Sequence, residues 1–286
     1  MSRGAVVVTG ASTGIGEASA VHLDSLGFRV FAGVRKDADA ERLRAAASER
    51  LEPLRIDVTD SDSIEGAAAR VSEVAGAEGL AGLVNNAGIA VTAPLEFVPV
   101  EELRRQLEVN VVGQVAVTQA FLPPLRKARG RIVNIGSIGG RVALPLLGPY
   151  AASKFAMEGL TDSLRREVKR FGIEVSIVEP GGIATPIWEK GGAAADSLME
   201  EAPPEVGELY GDLIAAVRAG AEQAGQQGLP PLEVAKAVAH ALTARRPKTR
   251  YLVGRDAKSR AAIARVIPDR AFDALIERSL SGGRRR

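Results

Sequence analysis

Short runs rich in Val and Ile alternate with longer helix-compatible stretches along nearly the whole chain, and this alternation restricts the fold more than any other feature. Residues 5–9, 29–33, 54–57, 80–85, 131–135, 174–179 and 250–253 read as strands, and residues 15–26, 39–50, 61–75, 100–122 and 150–171 as helices. Apolar strands without polar alternation suit burial on both faces, and a β-α-β order predicts a parallel sheet covered by helices on each side. A length of 286 residues fits one such α/β domain, expected over 1–286. The rhythm breaks in 190–228, where Gly, Ala, Glu and Gln dominate, with Pro203-Pro204 and Pro230-Pro231 as punctuation. This reads as an inserted helical excursion within 183–230 rather than a second domain. Residues 281–286 read as a flexible tail.

The totals remove several function classes. With 37 basic and 35 acidic residues the net charge is only +2, so no basic face for nucleic acid is expected. There is no Cys and there are two His, which excludes disulfides, thiolate metal sites and a His-rich metal centre. His22 and His240 fall within helical patterns, where packing or exposure accounts for them. No apolar run is long enough for a signal peptide or a membrane span, so a cytoplasmic protein is expected.

The first strand runs into Thr9-Gly10-Ala11-Ser12-Thr13-Gly14-Ile15-Gly16 and then directly into helical sequence. Glycines at a strand-to-helix turn let the backbone approach a pyrophosphate, which the free N–H groups of the helix start then hold. The spacing Gly-x-x-x-Gly-x-Gly differs from the commonest dinucleotide fingerprint, and a tight structural turn is the competing reading; the position after the first strand favours the phosphate loop. At the end of the second strand an acidic residue would accept from both ribose hydroxyls of NAD, but here stand Val34, Arg35 and Lys36. Arg35 can fork onto a 2′-phosphate, so NADP(H) matches better, with NAD as the alternative. Asp57, with Val58 beside it, ends the third strand where it could accept from an adenine amino group. A helix N-cap is its competing role, although Thr59, Asp60 and Ser61 are also available for that.

A phenol and an ammonium four residues apart, Tyr150 and Lys154, share one helix face if 150–171 is helical. Alone that spacing says little. Thr9-Gly10-x-x-x-Gly14-x-Gly16, Asn85-Asn86-Ala87-Gly88, Asn110, Ser137, Tyr150-x-x-x-Lys154 and Pro180-Gly181 follow one another in the order found in the short-chain dehydrogenase/reductase family, which the chain resembles over nearly its whole length. The resemblance implies a Rossmann-like α/β/α fold built on a doubly wound, mostly parallel seven-stranded sheet, with a helical substrate lid. It implies hydride transfer between a nicotinamide and a carbonyl or alcohol carbon. Tyr150 is then the general acid/base, Lys154 its electrostatic tuner and the holder of the nicotinamide ribose, and Ser137 the donor to the substrate oxygen. Bringing a phenol from a pKa near 10 to about 7 takes roughly 4 kcal/mol of differential stabilisation, for which Lys154 has the right sign. By the same resemblance Asn110 interrupts its helix to hold a relay water, Asn85, Ala87 and Gly88 lie along the cofactor, and Pro180, Gly181, Ile183 and Thr185 face the nicotinamide.

The excursion offers Trp188, Leu198, Met199, Tyr210, Leu213, Ile214 and Val217 as an apolar pocket lining; they could equally pack the lid's own helices. A hydrophobic alcohol or ketone is the expected substrate. Residues 248–258 with Ile267-Pro268-Asp269 resemble the retinol and 17β-hydroxysteroid dehydrogenase branch. Stripes at Leu103, Leu107 and Val111 and at Phe155, Leu160 and Leu164 imply, by the family's habit, a homodimer or homotetramer. Two rival functions are a nucleotide-sensing protein without catalysis and an epimerase or dehydratase on the same fold. The complete set Asn110, Ser137, Tyr150 and Lys154 argues against the first, and the second usually alters the Ser or Tyr position or lengthens the chain, neither of which is seen.

Overall fold

In the computed structural model residues 3–281 are described. The tail expected over 281–286 lies, from 282 onward, outside the described residues. The chain runs β1 (Ala5–Val8), α1 (Gly14–Ser25), β2 (Arg29–Val34), α2 (Asp37–Ala46), β3 (Leu51–Arg55), α3 (Ser61–Ala75), β4 (Leu80–Asn85), α4 (Val100–Leu107), α5 (Gly113–Ala128) and β5 (Arg131–Ile135). It continues α6 (Gly148–Val168), β6 (Glu174–Pro180), α7 (Ile187–Glu200), α8 (Glu205–Gln227), α9 (Pro231–Thr243), β7 (Arg250–Val253), α10 (Arg255–Val266) and α11 (Asp269–Ser281). A π-helical turn, Glu108–Val112, joins α4 to α5.

The seven strands form one sheet in the order β3-β2-β1-β4-β5-β6-β7, with every pairing parallel. Period-two alternation divides the buried side chains between two layers. Val6 and Val8 pack with Leu23 of α1 and with Val234 and Val238 of α9. Val7 packs on the other face with Phe31 and with Val117, Phe121 and Leu125 of α5. This is a single Rossmann-like fold. Its topological switch lies between β1 and β4, and the carboxyl ends of those strands are where such a sheet binds ligands.

Several boundaries differ from the expectation. β3 is Leu51–Arg55 rather than 54–57, and it pairs with β2 through Pro53 opposite Ala32. A proline is tolerated there because β3 is an edge strand with no neighbour on its outer side. α2 begins at Asp37 and stops at Ala46, short of residue 50. α5 continues past 122 through Pro123 and Pro124, with Leu125 buried in the core as its anchor. The excursion is helical as expected, forming α7 and α8. Helices α9 to α11 follow it, and α9 covers the central strands against α1. His240 on α9 meets the Tyr251 hydroxyl through Nδ1 at 2.9 Å, a packing role. Among the described residues no helix is long and apolar enough to cross a membrane.

Candidate active site

The turn from β1 into α1 is shaped by glycine. Gly10 sits at φ +62°, and a Cβ there would stand 2.7 Å from the Ala87 Cα. A Cβ on Gly16 would collide with the Gly10 carbonyl oxygen, so only glycine lets the first turn of α1 fold back over the loop. Thr13 precedes α1 in extended conformation without a side-chain cap on the N–H groups beyond it. An uncapped helix start beneath a close-packed glycine cradle fits a dinucleotide's pyrophosphate. Three residues not expected at the site hold this loop. The Asn86 amide donates to the carbonyls of Thr9 and Gly10, each at 3.0 Å. Thr9 Oγ1 accepts from the N–H groups of Asn86 and Ala87 at 3.0 and 3.1 Å. Arg42 of α2 donates to the Ser12 carbonyl and pairs with Glu17. Ile15 anchors the loop against the core layer on the α1 side.

Arg35 follows β2 with 70% of its side chain exposed, 3.8 Å from Asp57 Oδ2. Asp57 Oδ1 accepts from the Thr59 N–H at 3.0 Å and hydroxyl at 2.8 Å. Burial raises the pKa of this carboxyl, but the Thr59 bonds and the charges of Arg35 and Arg55 outweigh it and hold the group below its usual range. The N-cap of α3 is Asp60, which accepts from Asp62 and Ser63, so Asp57 is not that cap. Val58 is buried, and its carbonyl lies where a side chain on Gly113 would stand.

Asn85, expected along the cofactor, turns its side chain into the sheet. Its side-chain amide donates inward to Thr118 Oγ1 and Asn134 Oδ1, each at 2.9 Å, and Asn134 continues to Thr161 at 2.8 Å. The side chain therefore ties β4 and β5 to α5 and α6, and only its backbone remains for the site. Gly88 lies close to Asn110.

The catalytic candidates come together beyond the carboxyl ends of β4 and β5. Asn110 sits in the π-helical turn, buried; its Oδ1 accepts from the Ile89 N–H at 2.9 Å, and its Nδ2 donates to the Ile89 carbonyl and to Ser153 Oγ at 3.0 and 3.1 Å. The helix is widened at this π-helical turn, and it is from here that Asn110 reaches across to α6. Gln106, also buried, repeats this clamp one turn earlier on Ile89 and Val91. The Ser137 hydroxyl accepts from the Gly139 N–H at 3.0 Å and shares a hydrogen bond with the Tyr150 phenol. Burial pushes that phenol above its ordinary pKa, and the Ser137 bond offsets part of the rise. Lys154 stands one turn on, with Nζ 5.7 Å from the centre of the Tyr150 ring and 2.8 Å from the Ile135 carbonyl, to which it donates. Burial lowers its pKa to about 8. Burial sets the direction for both groups in this structure, and the Lys154 ammonium donates to the Ile135 carbonyl.

Behind this loop lies a charge cluster with no motif to announce it. Glu179, fully buried at the end of β6, accepts from Arg141 at 2.9 Å, and Arg250 of β7 stands 3.6 Å away. Arg250 also donates to Glu158 at 3.1 Å and pairs with Asp162 at 3.0 Å, both on the Tyr150 helix. Burial, then the Glu179 charge, raises the Glu158 pKa. The cluster ties the Ser137 loop, α6, β6 and β7 together. After β6, the N–H of Gly182 donates to Asp256 of α10 at 2.8 Å, and a side chain on Gly181 would collide with that carboxylate. Pro180 and Gly181 thereby turn the chain toward Ile183, whose carbonyl accepts from Trp188 Nε1 at 2.9 Å, and Thr185 closes against Gly14. In the excursion Met199 and Ile214 line a cavity of about 470 Å³ between α7 and α8 with Pro203 and Arg218.

A phosphate-binding turn at the switch point, with a Tyr, a Lys and a Ser converging beside it, defines an oxidoreductase acting on CH–OH groups with a nicotinamide cofactor. The chain belongs to the short-chain dehydrogenase family, whose model, described as short chain dehydrogenase, matches residues 4–196. Human retinol dehydrogenase 16 is 42% identical over 88% of this chain and 81% of its own, which sets the chain in the retinol dehydrogenase-like branch. An NADPH-dependent 3-dehydrocapnine reductase from Ornithobacterium rhinotracheale is 37% identical over 96% of each chain. Among solved structures, a short-chain dehydrogenase/reductase from Burkholderia phymatum in complex with NAD superposes with a TM-score of 0.79 at 25% identity, covering 96% of this chain and 95% of that one.

Proposed function

We propose that this enzyme interconverts a hydrophobic alcohol and its carbonyl compound, using NADP(H) in preference to NAD(H), with Tyr150 as general acid/base. The observation that carries the reading is the convergence of the Ser137 hydroxyl and the Lys154 ammonium on Tyr150. A bound nicotinamide would supply or accept the hydride at the carbinol carbon. The pyrophosphate would lie on the Gly10–Gly16 turn, and Lys154 would hold the nicotinamide ribose. In reduction the Tyr150 phenol gives its proton to the developing alkoxide while the Ser137 hydroxyl donates to the same oxygen. With its pKa raised, Tyr150 carries that proton at neutral pH, and Lys154, near 8, is mostly cationic. In oxidation the phenolate is needed, and positive charge at Lys154 stabilises it. Asn110 fixes the β4–α4 loop to α6 and so holds Ile89 and Ser153 around the relay.

Arg35 supports the NADP(H) preference because, among the described residues, its ion-pair contact is a loose one to Asp57, which leaves the guanidinium able to fork onto a 2′-phosphate. The NADPH dependence of the Ornithobacterium reductase agrees with it. The retinol dehydrogenase relatives and the apolar side chains of α7 and α8 support a retinoid-, steroid- or lipid-like substrate under a lid formed by 183–230. The reading includes a homodimer or homotetramer joined through α4, α5 and α6, where Val112, Phe155 and Leu160 expose apolar surface.

The test is a panel of retinoid, steroid and aliphatic carbonyls offered with NADPH and with NADH, repeated with Arg35→Ala. Turnover of a hydrophobic member with NADPH, and a selective loss of NADPH affinity in the variant, is the expected outcome. Equal loss with both cofactors would refute the role of Arg35, and no turnover of any member would refute the substrate class.

A further inference from the structure

Lys190, in the first turn and a half of α7, reaches out of the excursion to the phosphate loop, where its Nζ lies 3.5 Å from Thr13 Oγ1. Thr13 is the cap residue of α1, so the ammonium stands at the positive end of that helix dipole, where a cation is repelled and an anion attracted. No carboxylate pairs with Lys190 among the described residues; the nearby Glu17 is taken by Arg42. The exposed ammonium and the uncapped helix start together present positive charge to one point beside Thr13, where an anion would be attracted by both. α7 is already brought to this point from both sides. Thr185, two residues before it, closes against Gly14, and Trp188 is pinned through its indole N–H to the Ile183 carbonyl. Midway along, the excursion is tied down by Tyr210 of α8, which donates to Glu96 at 2.7 Å and sets its ring edge-on to Phe97.

We infer that Lys190 is a diphosphate-binding residue supplied by the lid, its ammonium pairing with the cofactor's diphosphate across Thr13, so that cofactor binding seats α7. The inference rests on the nicotinamide-cofactor reading and extends it to a residue outside the Gly10–Gly16 turn. Because the diphosphate is common to both dinucleotides, Lys190 contributes equally to each, in contrast to Arg35. One charge-assisted contact at a partly solvated site corresponds to an affinity change of about tenfold.

The experiment titrates the intact protein with NADPH and with NADH, followed by the reduced nicotinamide's fluorescence, for wild type, Lys190→Met and Lys190→Arg over a range of NaCl concentrations. Limited proteolysis of the free and cofactor-saturated proteins reports on α7. Lys190→Met should weaken both dinucleotides about tenfold, lessen the salt dependence, and abolish the protection of α7 that the cofactor confers on wild type; Lys190→Arg should restore all three. Unchanged affinity and salt dependence in Lys190→Met overturns the inference while leaving the cofactor reading intact. Loss confined to NADPH overturns it as well, because that would place the ammonium at the 2′-phosphate. Failure of wild type to bind either dinucleotide overturns the cofactor reading, and this inference with it.

Discussion

Replacing Lys154 by methionine should stabilise the free protein at neutral pH while abolishing turnover, and the gain should shrink as pH rises. Folding buries the ammonium and brings its pKa from 10.5 to about 8. At about 1.36 kcal/mol for each tenfold change in the proton equilibrium, that fall costs the native state about 3.4 kcal/mol. The sign follows from proton counts. Between about pH 8 and 10.5 the unfolded chain holds the proton and the native state does not, so native stability rises with pH through that window, and the full cost is present below it. Methionine removes the cost and also the hydrogen bond to the Ile135 carbonyl, worth about 1 kcal/mol. The expected net gain at pH 7 is about 2 kcal/mol. By pH 9.5 the wild-type penalty has fallen by about 2 kcal/mol, and the advantage of the variant should be close to gone. Urea unfolding of both proteins at pH 7 and 9.5, at one protein concentration, measures the difference directly. A variant less stable than wild type at pH 7, or a gain identical at both pH values, would refute the claim that desolvation governs Lys154.

Other substitutions probe the surrounding parts. Gly16→Ala should lower affinity for both dinucleotides at least tenfold by titration, because its Cβ collides with the Gly10 carbonyl; binding like wild type would deny the cradle its role. Glu179→Leu leaves Arg141 and Arg250 without their buried partner and should cost about 3 kcal/mol, toward the low end for breaking a buried pair because Arg250 keeps Glu158 and Asp162. Calorimetry should then show a melting temperature roughly 6–10 °C lower, and a change under 2 °C would mean the cluster contributes little. Light scattering at micromolar concentration should report a dimer or tetramer for wild type and a smaller species for Phe155→Asp; a monomeric wild type would end the interface proposal.

The sheet was legible because most of its strands are short apolar runs, as in residues 5–8 and 131–135, and because such runs alternate with helices. β3 misled, since Pro53 discourages a strand reading and only its edge position makes it tolerable. The candidate catalytic residues could be named from the order of short motifs. Their supports could not, because the contacts are long-range: Asn86 grips Gly10, Gln106 grips Ile89, and Arg141 meets Glu179 across separations that leave no local pattern. Asn85 shows the converse, a motif residue whose side chain turns into the sheet to bond Thr118 and Asn134. The protonation behaviour of Tyr150 and Lys154 was likewise out of reach, since it depends on burial and on the Ile135 carbonyl.

Single-turnover reduction by Tyr150→Phe tests the assignment of the proton donor most directly. The variant loses one hydroxyl and keeps the ring beside Lys154, so NADPH should bind within about twofold of wild type by fluorescence. Nicotinamide oxidation with saturating carbonyl substrate should slow by at least a thousandfold, within the roughly 10²–10⁴-fold range of general acid–base catalysis. Turnover within tenfold of wild type, with intact cofactor binding, would contradict the account.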